Sequence, residues 1–240
     1  MARKDDAPRG VAMEKEFDKE AWIPKTDLGK KIKSGEFKTI DEVIKSGKKI
    51  LESEISDYLI EDLSSEIIAI GQSKGKFGGG KKSIWRQTQK KTSEGNKPKF
   101  ATLVAVGNND GLIGIGTGKS KETMPAKEKA LRNAKLNVKK IKRGCGSWSC
   151  YCGKSHSIPF TVIGKCSSTI VKLMPAPKGT GLMIDSEPQK ILKLAGITDV
   201  YSDSKNTTTK INLMNALFDA LKKLSKTKVN EEFSKKAGIV

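Results

Sequence analysis

The first third of the chain passes from an unpatterned polar segment to short helical patterns and then to a strand. Residues 1–38 combine mixed charge with little apolar periodicity, which predicts an arm that becomes ordered only against a partner. Residues 39–42 (Thr-Ile-Asp-Glu) have the form of a capping box and predict a helix that runs to about Ile50. A second short helical pattern covers residues 55–63, and the apolar run at 67–70 begins a strand.

Two strong strand patterns and one long amphipathic helix follow. The strands are predicted over residues 100–106 and 112–118, and the Gly- and Asn-rich stretch between them predicts a hairpin because its residues tolerate positive φ. Thr123 is predicted as the N-cap of the helix, whose apolar positions recur at helical spacing as far as Ile141. One face of this helix should pack on the sheet. The opposite face is cationic and contains Lys129, Arg132, Lys135, Lys139, Lys140, Lys142 and Arg143.

A second domain begins after a segment rich in Gly, Cys and Ser, which covers residues 144–157. Its predicted elements are strands over 160–164, 169–174 and 198–202 and helices over 187–195 and 207–224. The stretch Pro175–Gly181 interrupts the strands, because proline cannot donate to a ladder. The predicted organisation is an arm (1–38), a first domain (39–143), a linker (144–157), a second domain (158–225) and a tail (226–240).

Positive charge is concentrated in the middle of the chain. Residues 67–182 contain 23 Lys and Arg but only four acidic residues, whereas the first 66 residues are slightly acidic. A polyanion is the natural partner of such a block, and nucleic acid is the best candidate because neutralising phosphates releases condensed counterions. The alternative, a merely solvated lysine-rich surface, would spread the charge evenly along the chain.

Several classes of protein are disfavoured by composition. No apolar run approaches the roughly 20 residues that a membrane span requires, and residues 1–20 do not resemble a secretory signal. Four cysteines in such a chain do not suggest a disulfide scaffold, so the cytosol is the simplest compartment. His156 is the only histidine and the basic block contains few carboxylates, so catalysis by a nucleophile or an acid–base pair is not expected.

The glycine run at 114–118, followed by Lys119 and Ser120, superficially suggests a phosphate-binding loop. The P-loop needs a glycine at the position of Ile113, and the dinucleotide pattern lacks its third glycine. Alternate glycines in a strand more often mark a close backbone approach, here either by a packed helix or by RNA. Nucleotide binding is therefore not expected.

Cys145, Cys150, Cys152 and His156 form a cluster of metal-ligating residue types within twelve positions. Such a set could close a tetrahedral site for a structural Zn²⁺, although its spacing is tighter than that of paired zinc knuckles. The alternative is three reduced cysteines in a glycine-rich loop, with a histidine that contacts phosphate. Cys166 lies outside this spacing and is predicted to be a small buried hydrophobe.

The stretch from Arg86 to Lys99 is polar and basic and leads into the strand at 100–106. Held out from a rigid sheet, this predicted loop could insert between phosphates. RNA is favoured over DNA, because no helix-turn-helix or basic-zipper pattern is visible and RNA-binding proteins often recognise shape through loops and sheets. Three aromatic residues could stack on bases or, as is commoner, pack in the core: Trp85, Trp148 and Tyr151.

Several ordered motifs resemble one family. Residues 100–107 (Phe-Ala-Thr-Leu-Val-Ala-Val-Gly) followed by 111–122 are similar to the signature of the universal fifth protein of the small ribosomal subunit. Segments of the second domain resemble the archaeal and eukaryotic form of that family: Ser157–Phe160, Gly164–Cys166, Leu173–Gly181 and Leu194–Ile197. The insertion at 145–156 resembles the archaeal version, and the resemblance covers about residues 20–225.

The resemblance implies an α+β fold with two small domains. The first is similar to a double-stranded-RNA-binding domain with the order αβββα, and the second is a sheet backed by two helices. It further implies a non-enzymatic protein that binds ribosomal RNA where the body and head of the small subunit meet. Such a protein contacts the neighbouring fourth and eighth small-subunit proteins, borders the channel through which messenger RNA enters, and influences decoding accuracy. The family's loop corresponding to Thr92–Lys99 reaches toward the hinge near the neck helix, with Lys97 and Lys99 at positions that are usually basic.

The sequence thus predicts a structural, ribosomal-RNA-binding protein of the cytoplasmic small subunit that is neither membrane-bound nor a homo-oligomer. The residues predicted to contact RNA are Arg86, Lys90, Lys91, Lys97, Lys99, Lys119, Lys121, Arg132, Lys139, Lys142, Arg143 and Lys178. One alternative is a stand-alone double-stranded-RNA-binding regulator, which has no need for the turn at 175–181. The other is an enzyme acting on phosphorylated substrates, which would require a complete phosphate loop or an acid–base pair.

Overall fold

Two β-sheets with helices on their faces organise the part of the chain that the computed structural model describes, residues 19, 22–60, 62–72, 82–150 and 152–239. The helices are α1 (Asp27–Lys33), α2 (Ile40–Lys45), α3 (Glu54–Leu59), α4 (Thr123–Leu136), α5 (Ser186–Leu194), α6 (Lys210–Lys226) and α7 (Glu231–Ala237). The strands are β1 (Ser64–Ile68), β2 (Arg86–Thr92), β3 (Gly95–Gly107), β4 (Leu112–Ser120), β5 (Lys139–Lys140), β6 (Val162–Cys166), β7 (Thr169–Pro175), β8 (Leu182–Met183) and β9 (Val200–Lys205). The predicted α+β class is confirmed. None of the helices in the described ranges is long and apolar enough to cross a membrane.

A small helical cluster precedes the first sheet. Helices α1, α2 and α3 pack together around the buried side chains of Trp22, Ile32 and Ile55. The prediction of an arm over residues 1–38 is therefore wrong for residues 22–38. The few apolar side chains of this segment are too widely spaced to give a periodic signal, yet they are buried together. Most of the remaining predicted arm lies outside the described residues.

The first sheet has the order β1-β3-β4-β5 with all neighbours antiparallel, and β2 pairs with the first half of the long strand β3. The predicted hairpin between β3 and β4 is confirmed. Asn109 and Gly111 in its loop have φ of 57° and 88°, in the left-handed region that Asn and Gly tolerate best. The Asn108 side-chain carbonyl accepts the amides of Asp110 and Leu112, at 2.8 and 3.1 Å, and holds this loop in one conformation.

Helix α4 lies on the sheet with its backbone in direct contact with β4. A β-carbon on Gly116 would lie 2.2 Å from the amide nitrogen of Ala134 and 2.3 Å from the carbonyl oxygen of Ala130. Gly114 and Gly118 have similar close contacts with α4, at 2.4 and 2.1 Å. The alternate glycines of β4 therefore make room for a packed helix, which accounts for the glycine run without a bound phosphate.

The predicted helix is correct up to Leu136 and wrong beyond it. The next residue, Asn137, caps α4, and the chain then forms β5 against the start of β4. Val138 and Ile141 are the buried residues on either side of this short strand. They are three positions apart, and this spacing also fits one face of a helix. The predicted N-cap also shifts by one residue, since Thr123 is already helical. Four of the predicted cationic positions consequently lie outside α4: Lys139, Lys140, Lys142 and Arg143.

The second sheet has the order β6-β7-β9-β8, with β8 parallel to β9 and the other pairs antiparallel. Helix α6 covers one face with the buried side chains of Leu213, Leu217 and Leu221. The other face exposes Ile163 and Tyr201 to solvent.

The two sheets share one hydrophobic core through α5. Ile68 and Leu103 of the first sheet belong to the same buried cluster as Leu192 of α5 and the residues of α6. Between the sheets, the amide of Asn109 in the β3–β4 loop donates to the carbonyl of Leu194 at 2.9 Å. The two domains are therefore packed against each other as well as connected by the chain.

The C-terminal segment folds back as helix α7 and is not a free tail. The amide of Cys145 donates to the carbonyl of Ala237 at 2.8 Å, and Ala237 is buried. The Lys142 ammonium donates to the carbonyl of Thr227 at 2.6 Å. The predicted tail over 226–240 is corrected accordingly, because its last helix packs on the cysteine-rich segment.

Substituting Gly116 tests the close packing of α4 on β4. In Gly116→Ala the added methyl group meets helix backbone, which can give way only if α4 moves. We therefore expect the free energy of unfolding to fall by about 2–3 kcal/mol. The control Lys119→Gln, at an exposed position of the same strand, should change it by less than about 0.5 kcal/mol. Denaturant titrations followed by circular dichroism measure both values, and equal values for Gly116→Ala and the parent chain would contradict the packing.

Candidate nucleic-acid interface and metal centre

Residues 86–99 form a two-stranded ribbon that extends beyond the rest of the first sheet, and we call it the basic ribbon. Residues 95–99 of β3 pair only with β2, whereas the later part of β3 also pairs with β1 and β4. At its tip the Thr92 hydroxyl donates to the carbonyl of Gly95 at 2.7 Å. The predicted loop is therefore wrong for most of this segment. Its side chains are exposed on both faces, so no alternation of polar and apolar residues signalled a strand.

Strand register gathers most of the cations of the basic ribbon on one face. Residues directly opposite each other in an antiparallel pair lie on the same face. By that rule four predicted RNA-binding residues share a face: Arg86, Lys90, Lys97 and Lys99. Lys119 of β4 stands opposite Ala101 of β3 and continues this face, while Lys91 lies on the other side. Lys99 and Lys119 also line one surface depression together with Lys121.

The cations of this face are largely without internal counter-charges. Lys97 pairs with Glu94 at 2.7 Å, but both side chains are mostly exposed and such a pair contributes little. Within the described ranges, four other predicted residues have no ion-pair partner: Arg86, Lys90, Lys99 and Lys119. Lys90 lies directly opposite Lys97, an arrangement of like charges that destabilises an isolated hairpin. An external polyanion would relieve this repulsion.

The remaining predicted RNA-binding residues are dispersed. Arg132 is exposed on α4, Lys139 is exposed on β5, and Lys178 is exposed in the turn before β8. Lys142 is engaged by the carbonyl of Thr227. These residues are not part of the face formed by the basic ribbon and Lys119.

Arg143 has a structural role and is removed from the predicted set. Its side chain is only 8% exposed, and its guanidinium donates to the Asp110 carboxylate and to the carbonyl of Gly196. It thereby ties the β3–β4 loop to the end of α5. Basic character alone could not reveal this burial, because both partners are distant in sequence.

The structure brings the four predicted metal-ligating residues together. The thiol sulfurs of Cys145, Cys150 and Cys152 and a ring nitrogen of His156 all lie within 4.8 Å of one another. The separation of Cys150 Sγ from His156 Nε2 is 3.9 Å, and ligands of a tetrahedral zinc ion are separated by roughly 3.5 Å. The arrangement therefore needs only a small contraction to surround a metal ion. Cys166 lies apart from this cluster and packs beside the main core.

Asp199 holds the histidine of the cluster in place. The Asp199 carboxylate lies 2.8 Å from His156 Nδ1, which leaves Nε2 directed at the thiols. It also accepts the amides of Gly179 and Gly181, at 3.0 and 2.9 Å, and the hydroxyl of Thr198 at 2.8 Å. Burial alone would raise the pKa of Asp199, but these hydrogen bonds and His156 hold it below its usual value. Carboxylate–histidine pairs of this kind orient metal ligands, and no local motif could have revealed a partner 43 residues away.

The cluster contains thiols of contrasting acidity. Burial, together with hydrogen bonds inside the cluster, raises the pKa of Cys145 to about 11. The backbone amide of Lys178, followed by the Cys152 side chain, lowers the pKa of Cys150 to about 6. A divalent cation would favour the ionised form of all three cysteines.

Cys150, His156 and Asp199 also follow the order of a nucleophile, a base and an orienting acid. The separation of 3.9 Å between Cys150 Sγ and His156 Nε2 is at the outer limit of a hydrogen bond to sulfur and is longer than the contact of an activated nucleophile with its base. The two further thiols have no role in that chemistry, whereas they complete a four-ligand metal set. The geometry therefore favours metal binding over nucleophilic catalysis.

Comparison with known proteins agrees with this architecture. Residues 84–142 match the family model described as Ribosomal protein S5, N-terminal domain. Residues 164–236 match the model described as Ribosomal protein S5, C-terminal domain. The first match includes the basic ribbon and α4, and the second includes the second sheet with α5 and α6.

Archaeal relatives match most of the chain. This chain is 47% identical to the small ribosomal subunit protein uS5 of Nanoarchaeum equitans, and the match covers 91% of this chain and 94% of that protein. It is also 45% identical to the uS5 protein of Methanobrevibacter smithii, over 93% of this chain and 98% of that protein. Identity to the uS5 protein of Aeropyrum pernix is again 45%, over 86% of this chain and 88% of that protein. These matches confirm the predicted resemblance. The chain therefore belongs to the uS5 family of small ribosomal subunit proteins, which are structural components of the ribosome and not enzymes.

Proposed function

We propose that this chain binds ribosomal RNA at the junction of the body and head of the small subunit, beside the channel through which messenger RNA enters, and contributes to the accuracy of translation. The observation that carries the proposal is the cationic face formed by the basic ribbon and Lys119, on which Lys97 alone of the five predicted residues has an ion-pair partner within the described part of the chain. Phosphate is the ligand that best matches several parallel cations spaced along two strands.

The rigidity of the ribbon's support favours a positioning role in RNA. The ribbon continues β3, which is held by β1 on one edge, by β4 on the other and by α4 across its face. Phosphate contacts made from such a support fix the orientation of the protein, while the shape of the folded RNA supplies selectivity. A ribbon anchored in this way would resist relative movement of the RNA segments that it bridges, and this is how it would affect decoding.

The proposed protein partners are the neighbouring fourth and eighth small-subunit proteins, and the proposed state is a single copy in each cytoplasmic small subunit. The exposed apolar side chains of Ile163, Met183 and Tyr201 lie on the uncovered face of the second sheet. Such a face suits contact with a neighbouring protein better than contact with phosphate.

Sedimentation is the direct test of the main proposal. In a sucrose gradient of cell extract, the tagged full-length chain should co-sediment with the small subunit and remain there at moderate salt. The alternative, a stand-alone double-stranded-RNA-binding regulator, predicts that the chain stays in the upper fractions. That outcome would overturn the proposal.

Charge reversal on the ribbon tests the role in accuracy. Lys97→Glu and Lys99→Glu each place a carboxylate on the cationic face, so we expect misreading in a stop-codon or missense reporter to change at least about twofold. The physical reason is that the introduced carboxylate repels phosphate at a position where the lysine of the parent chain attracts it. Sedimentation of each variant should first establish that it still enters the small subunit.

Lys45→Glu is the matched control for these variants, because Lys45 is exposed on α2 and lies outside the basic ribbon. It should leave misreading unchanged. Normal error rates in Lys97→Glu and Lys99→Glu subunits with full incorporation would refute a role for the ribbon in accuracy.

The metal centre is proposed to hold one structural Zn²⁺ on Cys145, Cys150, Cys152 and His156. Three thiol sulfurs and one imidazole nitrogen are a ligand set that zinc prefers in closed structural sites. The ion would link the two ends of the 145–156 loop and hold the loop against α7, which contacts it through Ala237.

Metal analysis of the purified full-length chain tests this site. We expect about one zinc per chain, and at least tenfold weaker binding in Cys150→Ser. Asp199→Asn should weaken zinc binding by about 10- to 100-fold, because the histidine loses its orienting carboxylate. Cys166→Ala is the matched control and should retain the metal. Zinc-free protein that enters small subunits normally would contradict the proposal.

A further inference from the structure

Trp148 is the most exposed of the large apolar side chains in the described residues. Its side chain is 89% exposed, whereas Trp22 is 7% exposed and Trp85 is partly buried. Leaving an indole in water forgoes the favourable burial of a large apolar surface. The sequence left open whether this aromatic packs or stacks, and it is not packed among the residues that the structure describes. An indole displayed in this way is available to a partner outside the chain.

The backbone that carries Trp148 is fixed in a tight turn. The amide of Cys150 donates to the carbonyl of Ser147 at 3.2 Å, which closes a four-residue turn with Trp148 at its second position. The hydroxyls of Ser147 and Ser149 lie 3.0 Å apart below it. On the N-terminal side, Gly146 donates to the carbonyl of Ile158 at 3.3 Å. The indole is consequently displayed from an ordered tip and not from a loose loop.

The surroundings of this tip are cationic. The chain has no Asp or Glu between Glu128 and Asp185. Lys154 follows the cysteines on the same loop, and the backbone of Lys178 contacts Cys150. The carbonyl of Lys236, in the last turn of α7, lies 4.0 Å from the position of a β-carbon on Gly153. All three lysine side chains are exposed.

We infer that Trp148 is a stacking platform for an unpaired base of RNA, with the flanking phosphates neutralised by Lys154, Lys178 and Lys236. This assignment rests on the proposed function, because it requires the chain to lie on RNA. An exposed aromatic ring with exposed lysines on the same and adjoining segments suits single-stranded RNA, since every base offers a π-face and every nucleotide a phosphate. The interior of a protein–protein interface is instead depleted of lysine, which argues against an apolar pocket of a neighbouring protein.

Small subunits assembled with full-length variants test the inference by chemical probing of unpaired bases. Trp148→Leu keeps an apolar side chain but removes the ring, whereas Trp148→Phe retains a ring. We expect one or two unpaired bases to become reactive in Trp148→Leu subunits and to remain protected in Trp148→Phe subunits. The affinity of the free protein for small-subunit ribosomal RNA should fall about 5- to 100-fold in Trp148→Leu and much less in Trp148→Phe.

The controls separate this inference from the proposed function. Zinc content and thermal unfolding of both variants should match the parent chain, because the substituted side chain is 89% exposed and not packed among the described residues. If the parent chain fails to enter small subunits, the proposed function itself is wrong. If Trp148→Leu subunits form with unchanged base reactivity and affinity, the stacking role is wrong while the proposed function stands. Cross-linking of Trp148 to a protein in place of RNA would also overturn it.

Discussion

The joint between the two domains is the constraint on which the other features depend. The β3–β4 loop docks on the end of α5, where Asn109 donates to the carbonyl of Leu194 at 2.9 Å and Gly111 donates to that of Ala195 at 3.2 Å. Gly196 is needed there, because its φ is 74° and a β-carbon would lie 2.1 Å from the Asn109 carbonyl oxygen. Since the same strand β3 that ends in this loop begins in the basic ribbon, fixing one end of the strand orients the other. A shared apolar core behind the joint prevents the domains from moving independently.

The charge distribution becomes understandable on this rigid frame. Surface lysines usually lie among carboxylates, and side chains without such partners repel one another. Here 16 of the 27 acidic residues lie in the first 66 positions. Two of them reach the first sheet and α4, where Asp57 pairs with Lys135 and Asp41 with Lys140. These pairs neutralise the end of α4 and the strand beside it, whereas the basic ribbon has the exposed Lys97–Glu94 pair as its single ion pair among the described residues. Carboxylates thus hold elements of the chain together and leave one face largely free for an anionic partner.

The elements that sequence could predict are those in which local pattern and tertiary burial agree. The strands at 100–106 and 112–118 and the start of α4 are of this kind. Strand β2 could not be predicted, because its residues are polar on both faces and its pairing is set by β3. Arg143 was misassigned for a different reason: burial of its guanidinium depends on Asp110 and Gly196, which no local pattern connects to it.

The metal centre shows the same division between local and distant information. Its four candidate ligands lie within one short segment and were predicted from spacing, whereas Asp199, which orients the histidine, comes from the second domain. The linker that sequence assigned to 144–157 therefore contacts both that domain and the C-terminal helix. What looked like a connection between domains is a small centre on which three parts of the chain converge.

Acidification should act on the proposed metal centre and leave the basic ribbon largely unaffected. The pKa of Asp199 is lowered in the folded chain, so the stability it contributes is present at neutral pH and is lost as the pH falls through that lowered value. Protons would also compete with the proposed metal ion for the thiolates and the imidazole, so metal binding would weaken in the same direction. Mild acid would therefore weaken the proposed metal binding of the 145–156 loop, whereas the basic ribbon contains no thiol or imidazole for which protons could compete.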